Sequence, residues 1–272
     1  MRTLLRYPGG KAKAIKFIEP YWRTVDHTEY VEPFVGGGSV FMSKPKVKKN
    51  WINDIDKDVI AFYKTLRNEK QVEELIDALL EMEINKDTYD EVFDSKPRSD
   101  FDKAKKFYFL NRTSFSGIRR WRAFIGDARY NIKETQTLMR EIGSKLSEYK
   151  ITSLDFEDLI KEVKKKSSVF MYLDPPYSES RQIVAYNKTF SEKDHIRLAK
   201  ALKNCKAKFL LTYDDTEFVR DLYDWAELES YTWRYSVANS KVHHNPRESG
   251  NELFISNFTL PKQECLLSWC KT

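Results

Sequence analysis

Short apolar runs closed by turn residues recur along the chain at Glu29 to Phe34, Asn50 to Ile55, Lys150 to Leu154, Ser168 to Leu173 and Lys208 to Tyr213. Runs of this kind, bounded by Gly, Pro, Asn or Asp, predict strands. Helical periodicity separates them at Lys11 to Tyr21, Val40 to Ser43, Val59 to Leu66, Phe156 to Lys165 and Glu192 to Lys203, the last opening on a Ser191 cap. Strands alternating with helices predict an α/β fold with a mostly parallel, doubly wound sheet. Further on, Leu228 to Ser236 and Glu252 to Phe258 alternate apolar and polar positions, which predicts antiparallel edge strands joined by a polar stretch from Asn239 to Gly250.

The interval from Asp58 to Tyr149 breaks the alternation and reads as mainly helical. The expected organisation is therefore one domain from residues 1–57 and 150–272, with residues 58–149 inserted between its second and third strands. Charge sharpens this picture. The whole chain carries a formal +6, yet Lys96 to Lys133 alone holds eleven Lys or Arg against three acidic residues. Phe107, Tyr108, Phe109, Phe115, Trp121, Phe124 and Tyr130 are interleaved with them. A solvated helical face over core aromatics and a nucleic-acid-binding surface both explain such a segment.

With 41% hydrophobic and 32% charged residues the chain has the profile of a folded protein. No apolar run approaches the ~18 residues of a membrane span and none follows the first residues as a signal peptide would, so a cytoplasmic location is expected. Cys205, Cys265 and Cys270 are odd in number and lack CxxC spacing, which excludes a disulfide framework and a zinc site on pattern. His243-His244 has no nearby cysteine or paired acid, so no metal is expected there.

Candidate chemistry lies at the strand ends. Glu32-Pro33-Phe34-Val35-Gly36-Gly37-Gly38-Ser39 places glycines where the first strand turns into a helix, and this lets backbone approach a ligand closely. Asp54 follows at the end of the next strand, near the spacing of about 20 residues at which an acid accepts ribose hydroxyls in nucleotide-binding sheets. Asp174-Pro175-Pro176-Tyr177 closes the fourth strand. The prolines lack amide donors and fix φ, so this turn is a rigid array of acceptors. Asp174 and the Pro175 carbonyl can each accept one hydrogen bond from an aromatic amine, turning its lone pair out of the ring plane, while Tyr177 stacks on the base. Adenine N6 and cytosine N4, in DNA or RNA, fit that chemistry equally. In Arg6-Tyr7-Pro8-Gly9-Gly10-Lys11, Lys11 can neutralise a ligand carboxylate and Tyr7 can pack on a sulfonium. Past Gly117, Arg119, Arg120 and Arg122 surround Trp121. Strand alternation puts Arg120 and Arg122 on one face, and at least one of the three is expected to read bases.

Taken in order, Arg6 to Lys11, Val31 to Phe41, Asn53-Asp54-Ile55, Asn111-Arg112-Thr113 with Phe115 and Gly117, Asp155-Phe156, Asp174 to Tyr177, Tyr186 with Phe190 and Asp194-His195, and Glu252-Leu253 resemble the Dam-like N6-adenine DNA methyltransferases of the alpha class. The resemblance covers most of the chain. It implies a Rossmann-like methyltransferase core with a mainly helical DNA-recognition insertion, binding S-adenosylmethionine and methylating an adenine flipped out of double-stranded DNA. Asp174, Pro175, Pro176 and Tyr177 match the catalytic motif. Tyr7, Lys11, Asp54 and Asp174 match cofactor-contacting positions; Glu32, Phe34, Gly36 and Gly38 fall in the same pocket, and Asp155-Phe156 matches the piece that holds the cofactor's adenine. Asn111, Arg112, Ser114, Arg119, Arg120, Arg122 and Tyr186 are the DNA-contacting candidates. The stretch Phe124-Ile125-Gly126-Asp127-Ala128-Arg129-Tyr130 departs from the Asn-Val-Pro-Phe-Gly ending of GATC-specific members, so GATC is not implied as the target. A restriction-modification system with a cognate endonuclease is compatible with this class. A nucleic-acid-binding module without transfer activity is the alternative from a different class.

Overall fold

The computed structural model describes residues 4–7, 9–117, 119–127, 130–177, 190–234 and 249–259. Tyr186, the His243-His244 pair, Cys265, Cys270 and most of the polar stretch after Asn239 lie outside them. Its strands are β1 (Glu29–Glu32), β2 (Lys49–Asn53), β3 (Tyr149–Thr152), β4 (Val169–Leu173), β5 (Lys208–Asp214), β6 (Glu227–Arg234) and β7 (Ser249–Ser256). They form a seven-stranded sheet in the order β3-β2-β1-β4-β5-β7-β6. The first five pair in parallel, and β7 runs antiparallel between β5 and β6. This is a Rossmann-like α/β core, with the predicted strands in the predicted relation. β1 stops at Glu32 rather than Phe34, because Pro33 has no amide to donate to a ladder.

Period-two alternation divides the sheet between two cores. Tyr30, Ile52, Phe170, Tyr172, Leu210 and Phe254 face one side, and Val31, Met171, Leu173, Phe209, Leu211 and Ile255 the other. Every residue of β4 is buried, as expected for a central strand covered on both faces. The helices are α1 (Ile15–Thr24), α2 (Ser39–Ser43), α3 (Lys57–Arg67), α4 (Glu69–Leu80), α5 (Lys86–Asp94), α6 (Asp100–Thr113), α7 (Ile132–Leu146), α8 (Phe156–Val163), α9 (Glu192–Leu202) and α10 (Glu217–Leu222). The helix expected from Lys11 begins instead as a 3-10 turn over Lys11–Lys13, after which α1 runs on to Thr24. Ser191 and Asp194 form the capping box that opens α9. None of the helices among the described residues is long and apolar enough to cross a membrane.

Helices α3 to α7 fill most of the described part of residues 58–149 and share a continuous core with one face of the sheet, through Val59, Phe62 and Leu66 of α3 and Ile142 and Leu146 of α7. A short hairpin follows α6: the Phe115 amide donates to the Ala123 carbonyl (2.8 Å) and the Ile125 amide to Thr113 (2.9 Å). α7 meets α3 through Gly143, where a Cβ would lie 2.2 Å from the Leu66 carbonyl oxygen. Backbone cannot yield as a flexible side chain would. Gly143→Ala is therefore expected to lower stability by about 1–3 kcal/mol. Urea unfolding checks this, and an unchanged midpoint would contradict the close approach.

Candidate functional site

The turn after β1 is shaped by an aromatic ring. Tyr7 lies against Gly36 and Gly37, where an added Cβ would come within 2.9 Å of its ring atom Cε1 at Gly36 and of its Cβ at Gly37. Gly36 and Gly38 also hold φ of 44° and 72°, in the left-handed region that disfavours other residues. The Tyr63 hydroxyl donates to the Gly36 carbonyl (2.9 Å). The glycines thus serve the turn's own packing as well as its approach to a ligand.

Asn53, at the end of β2, clasps three strand ends. Its amide donates to the carbonyls of Pro33 and Leu154 (both 3.0 Å), and its oxygen accepts from the Thr152 hydroxyl and the Leu154 amide (both 2.8 Å). This fixes Asp54 beside the glycine turn, where the Gly36 amide donates to Oδ2 and the Asp56 amide to Oδ1, both at 2.9 Å. Burial is the main reason that the Asp54 carboxyl is pushed up to about 7, and neighbouring Asp56 adds to it. Glu32 is 2% exposed and accepts the Tyr30 hydroxyl at 2.6 Å. Burial raises it to about 8, against the opposing effect of that hydrogen bond.

Opposite the glycines, Lys11 is 4% exposed, with Nζ 2.7 Å from Asp174 Oδ1 and 3.7 Å from Glu252 Oε1. Burial alone would depress its pKa, but the two carboxylates outweigh burial and hold it above the ordinary lysine value. The Thr212 hydroxyl donates to the same Oδ1 at 2.9 Å. Asp174 keeps 21% of its side-chain surface exposed. Tyr177 is buried, its ring 5.9 Å from that of Tyr213 and 4.8 Å from the Lys11 ammonium. Pro175 is buried, and Pro176 lines the cleft.

An aromatic wall completes the cleft. Phe34, Phe156 and Phe190 form a triangle with centroids 5.6 to 5.9 Å apart. Asp155 caps α8 through the Glu157 amide (2.9 Å) and accepts Arg197 Nη2 at 2.9 Å. The cavity holds about 280 Å³, and every cofactor candidate read from the sequence lines it: Tyr7, Lys11, Glu32, Phe34, Gly36, Gly38, Asp54, Asp155, Phe156 and Asp174.

The DNA-contacting candidates separate. Asn111 is buried and braces the N-terminal segment, accepting the Arg6 amide (2.9 Å) and donating to the Arg6 carbonyl (2.7 Å). Ser114 is buried against the Tyr89 hydroxyl at 2.9 Å. Both side chains have partners inside the protein. Arg119 turns inward to Asp56 and Asp58 and lines the cleft. Arg122 is tied to Asp94 and lies 3.3 Å from Asp90, both on α5. Arg112 is half-buried at the end of α6, whereas Arg120 is exposed beside the exposed rings of Phe115 and Trp121. Sequence reasoning gave no role to Phe190, Thr212 or Arg119 in the cleft. The Asp56-x-Asp58 pair was the signal that a cation must approach α3.

A model of the D12 class N6 adenine-specific DNA methyltransferases matches residues 7–237. The chain is 30% identical over 295 residues to the type II methyltransferase M.MjaIII of Methanocaldococcus jannaschii, covering 95% of this chain and 99% of that one. It is 29% identical over 240 residues to the type II methyltransferase M.CviBI of Paramecium bursaria Chlorella virus NC1A (86% and 91% covered). It is 24% identical over 271 residues to the DNA adenine methylase of Escherichia coli K12 (88% and 90%).

Because the folded Glu32 is raised from 4.5 to about 8, its burial carries no ionisation penalty at low pH. The penalty grows as pH climbs from about 4.5 and is complete near 8. Relative to Glu32→Gln, the ligand-free wild type is expected to lose stability across that window by up to about 1.4 kcal/mol per pH unit. Urea titrations of both proteins at pH 5, 6.5 and 8 test this; a pH-independent difference contradicts it.

Proposed function

The chain belongs to the D12 class of N6 adenine-specific DNA methyltransferases, and from that premise we propose that its cleft binds S-adenosylmethionine and presents it to an adenine flipped from a specific site in double-stranded DNA. Six acidic residues, Glu32, Asp54, Asp56, Asp155, Asp174 and Asp194, line the cleft. Such a potential suits a ligand bearing a sulfonium, an ammonium and ribose hydroxyls. The phenylalanine triangle suits a purine ring. When bound, the cofactor supplies an electrophilic methyl group.

The reading rests above all on Asp174. Lys11 and Thr212 both hold Oδ1, while the side chain lines the cleft and keeps 21% of its surface exposed. The carboxylate is anchored on one oxygen and is proposed to offer the other to the cleft. That is the arrangement required of a fixed acceptor for an amine hydrogen, and the Pro175 carbonyl is proposed as the second acceptor. Two carboxylates already neutralise Lys11, so its proposed role is to orient Asp174 rather than to bind a ligand carboxylate directly. Glu32, Asp54 and Tyr7 are proposed to hold the cofactor's polar parts, Asp155 and Phe156 its adenine.

Residues 58–149 are proposed to supply target recognition, with Arg120 and the exposed Phe115 and Trp121 facing DNA. Arg119 and Arg122 are paired with carboxylates, whereas Arg120 is exposed and makes no ion pair among the described residues. The type II designation of two relatives supports pairing with a cognate endonuclease. Asp174→Asn keeps the side chain's shape but removes its charge. Single-turnover methyl transfer to DNA is expected to fall on the order of 100-fold to 1000-fold. Mass spectrometry of nucleosides made by the wild type should give N6-methyladenine. A variant with more than half the wild-type rate, or N4-methylcytosine as the product, overturns the assignment.

A further inference from the structure

The recognition hairpin is rooted on the walls of the cleft. Gly117, with φ of 75°, packs so closely that a Cβ would lie 2.4 Å from the Arg6 carbonyl oxygen. Asn111 clasps the same Arg6 backbone, and the next residue, Tyr7, covers the glycine turn. Two positions past Gly117, Arg119 crosses to the other wall. Its Nη2 lies 2.5 Å from Asp56 Oδ2 and its Nη1 3.1 Å from Asp58 Oδ2, with the guanidinium 4.3 Å from the centre of the Phe107 ring. The side chain is 10% exposed.

Asp56 is not an incidental partner. Its carboxylate caps α3 by accepting the Asp58 amide (2.9 Å), and its own amide donates to Asp54 Oδ1 (2.9 Å). A continuous path therefore runs from the Asp54 carboxylate through Asp56 to Arg119 and the hairpin. Three carboxylates, Asp54, Asp56 and Asp58, crowd one turn, and in this structure Arg119 is the cation paired with the last two. Such a half-buried, planar, two-carboxylate contact is geometrically demanding in a way that a lysine could not reproduce.

We propose that Arg119 is a positioning residue that couples cofactor binding to DNA recognition. A ligand held by Asp54 stabilises the Asp56 loop, and the loop stabilises the hairpin through Arg119. By linkage, DNA that orders the hairpin must tighten the cofactor by the same factor. Arg119 carries this role from inside the cleft, not by reading bases. The inference rests on the cofactor reading above.

The test is calorimetric titration with S-adenosylhomocysteine, which has no methyl to transfer, with and without a duplex carrying a site that the wild type methylates. For wild type the duplex is expected to tighten binding at least fivefold. In Arg119→Gln the ratio should fall to within twofold of one. Asp58→Asn removes one ion pair outside the cleft lining and should reduce the ratio by half or more, so the proposal stays testable if Arg119→Gln does not fold. Arg119→Lys should not restore the ratio. Binding that DNA leaves unchanged in the wild type, or variants that keep the wild-type ratio, overturn the coupling alone. No S-adenosylhomocysteine binding by the wild type in either condition overturns the cofactor reading and the inference with it.

Discussion

Lys11 is a buried ammonium, and an unpaired charge in that position would cost several kcal/mol. Its partners come from segments far apart in the chain: Asp174 follows β4 and Glu252 lies on β7. The pairing requirement therefore draws the N-terminal segment across the ends of the parallel strands. Once Lys11 is seated, Gly10 and Tyr7 must turn back over the glycine loop, with the Gly10 amide donating to the Tyr7 carbonyl at 3.0 Å. The cleft exists because that segment closes one side of it.

The same constraint sets the electrostatics. One cation serves two carboxylates, while Glu32 and Asp54 lie buried nearby with pKa values raised by desolvation. The ligand-free cleft is thus acidic and internally opposed, and a ligand with cationic groups and hydroxyl donors relieves that opposition. Asn53 supplies the rigidity: its side-chain hydrogen bonds tie the ends of β1 and β3 to β2, so the acids are held in place without a ligand.

Much of the cleft was legible in the chain. Asp54 stands at the nucleotide-binding spacing from Gly36, and Asp174 opens a turn whose prolines leave few conformations, so local pattern and strand order sufficed to bring them together. Arg119 and Arg122 were not legible in the same way. Alternation along a hairpin tells which face a side chain takes, but not that Asp56 or Asp94 waits there on another element. Asn111 and Ser114 look like polar residues for a polar partner, yet they satisfy the Arg6 backbone and the Tyr89 hydroxyl inside the protein. Sequence pattern does not reveal such tertiary hydrogen bonds. The strand ends shifted for local reasons, as at Pro33.

The hairpin and the cleft form one connected structure, with Lys11 fixing one wall and Arg119 the other. The central proposal is that the buried ammonium holds Asp174 and the N-terminal segment in the shape proposed to bind S-adenosylmethionine. Isothermal titration of Lys11→Met with S-adenosylmethionine tests this directly. The account predicts at least a tenfold loss of affinity, about 1.4 kcal/mol; a folded variant that binds as tightly as the wild type would contradict it.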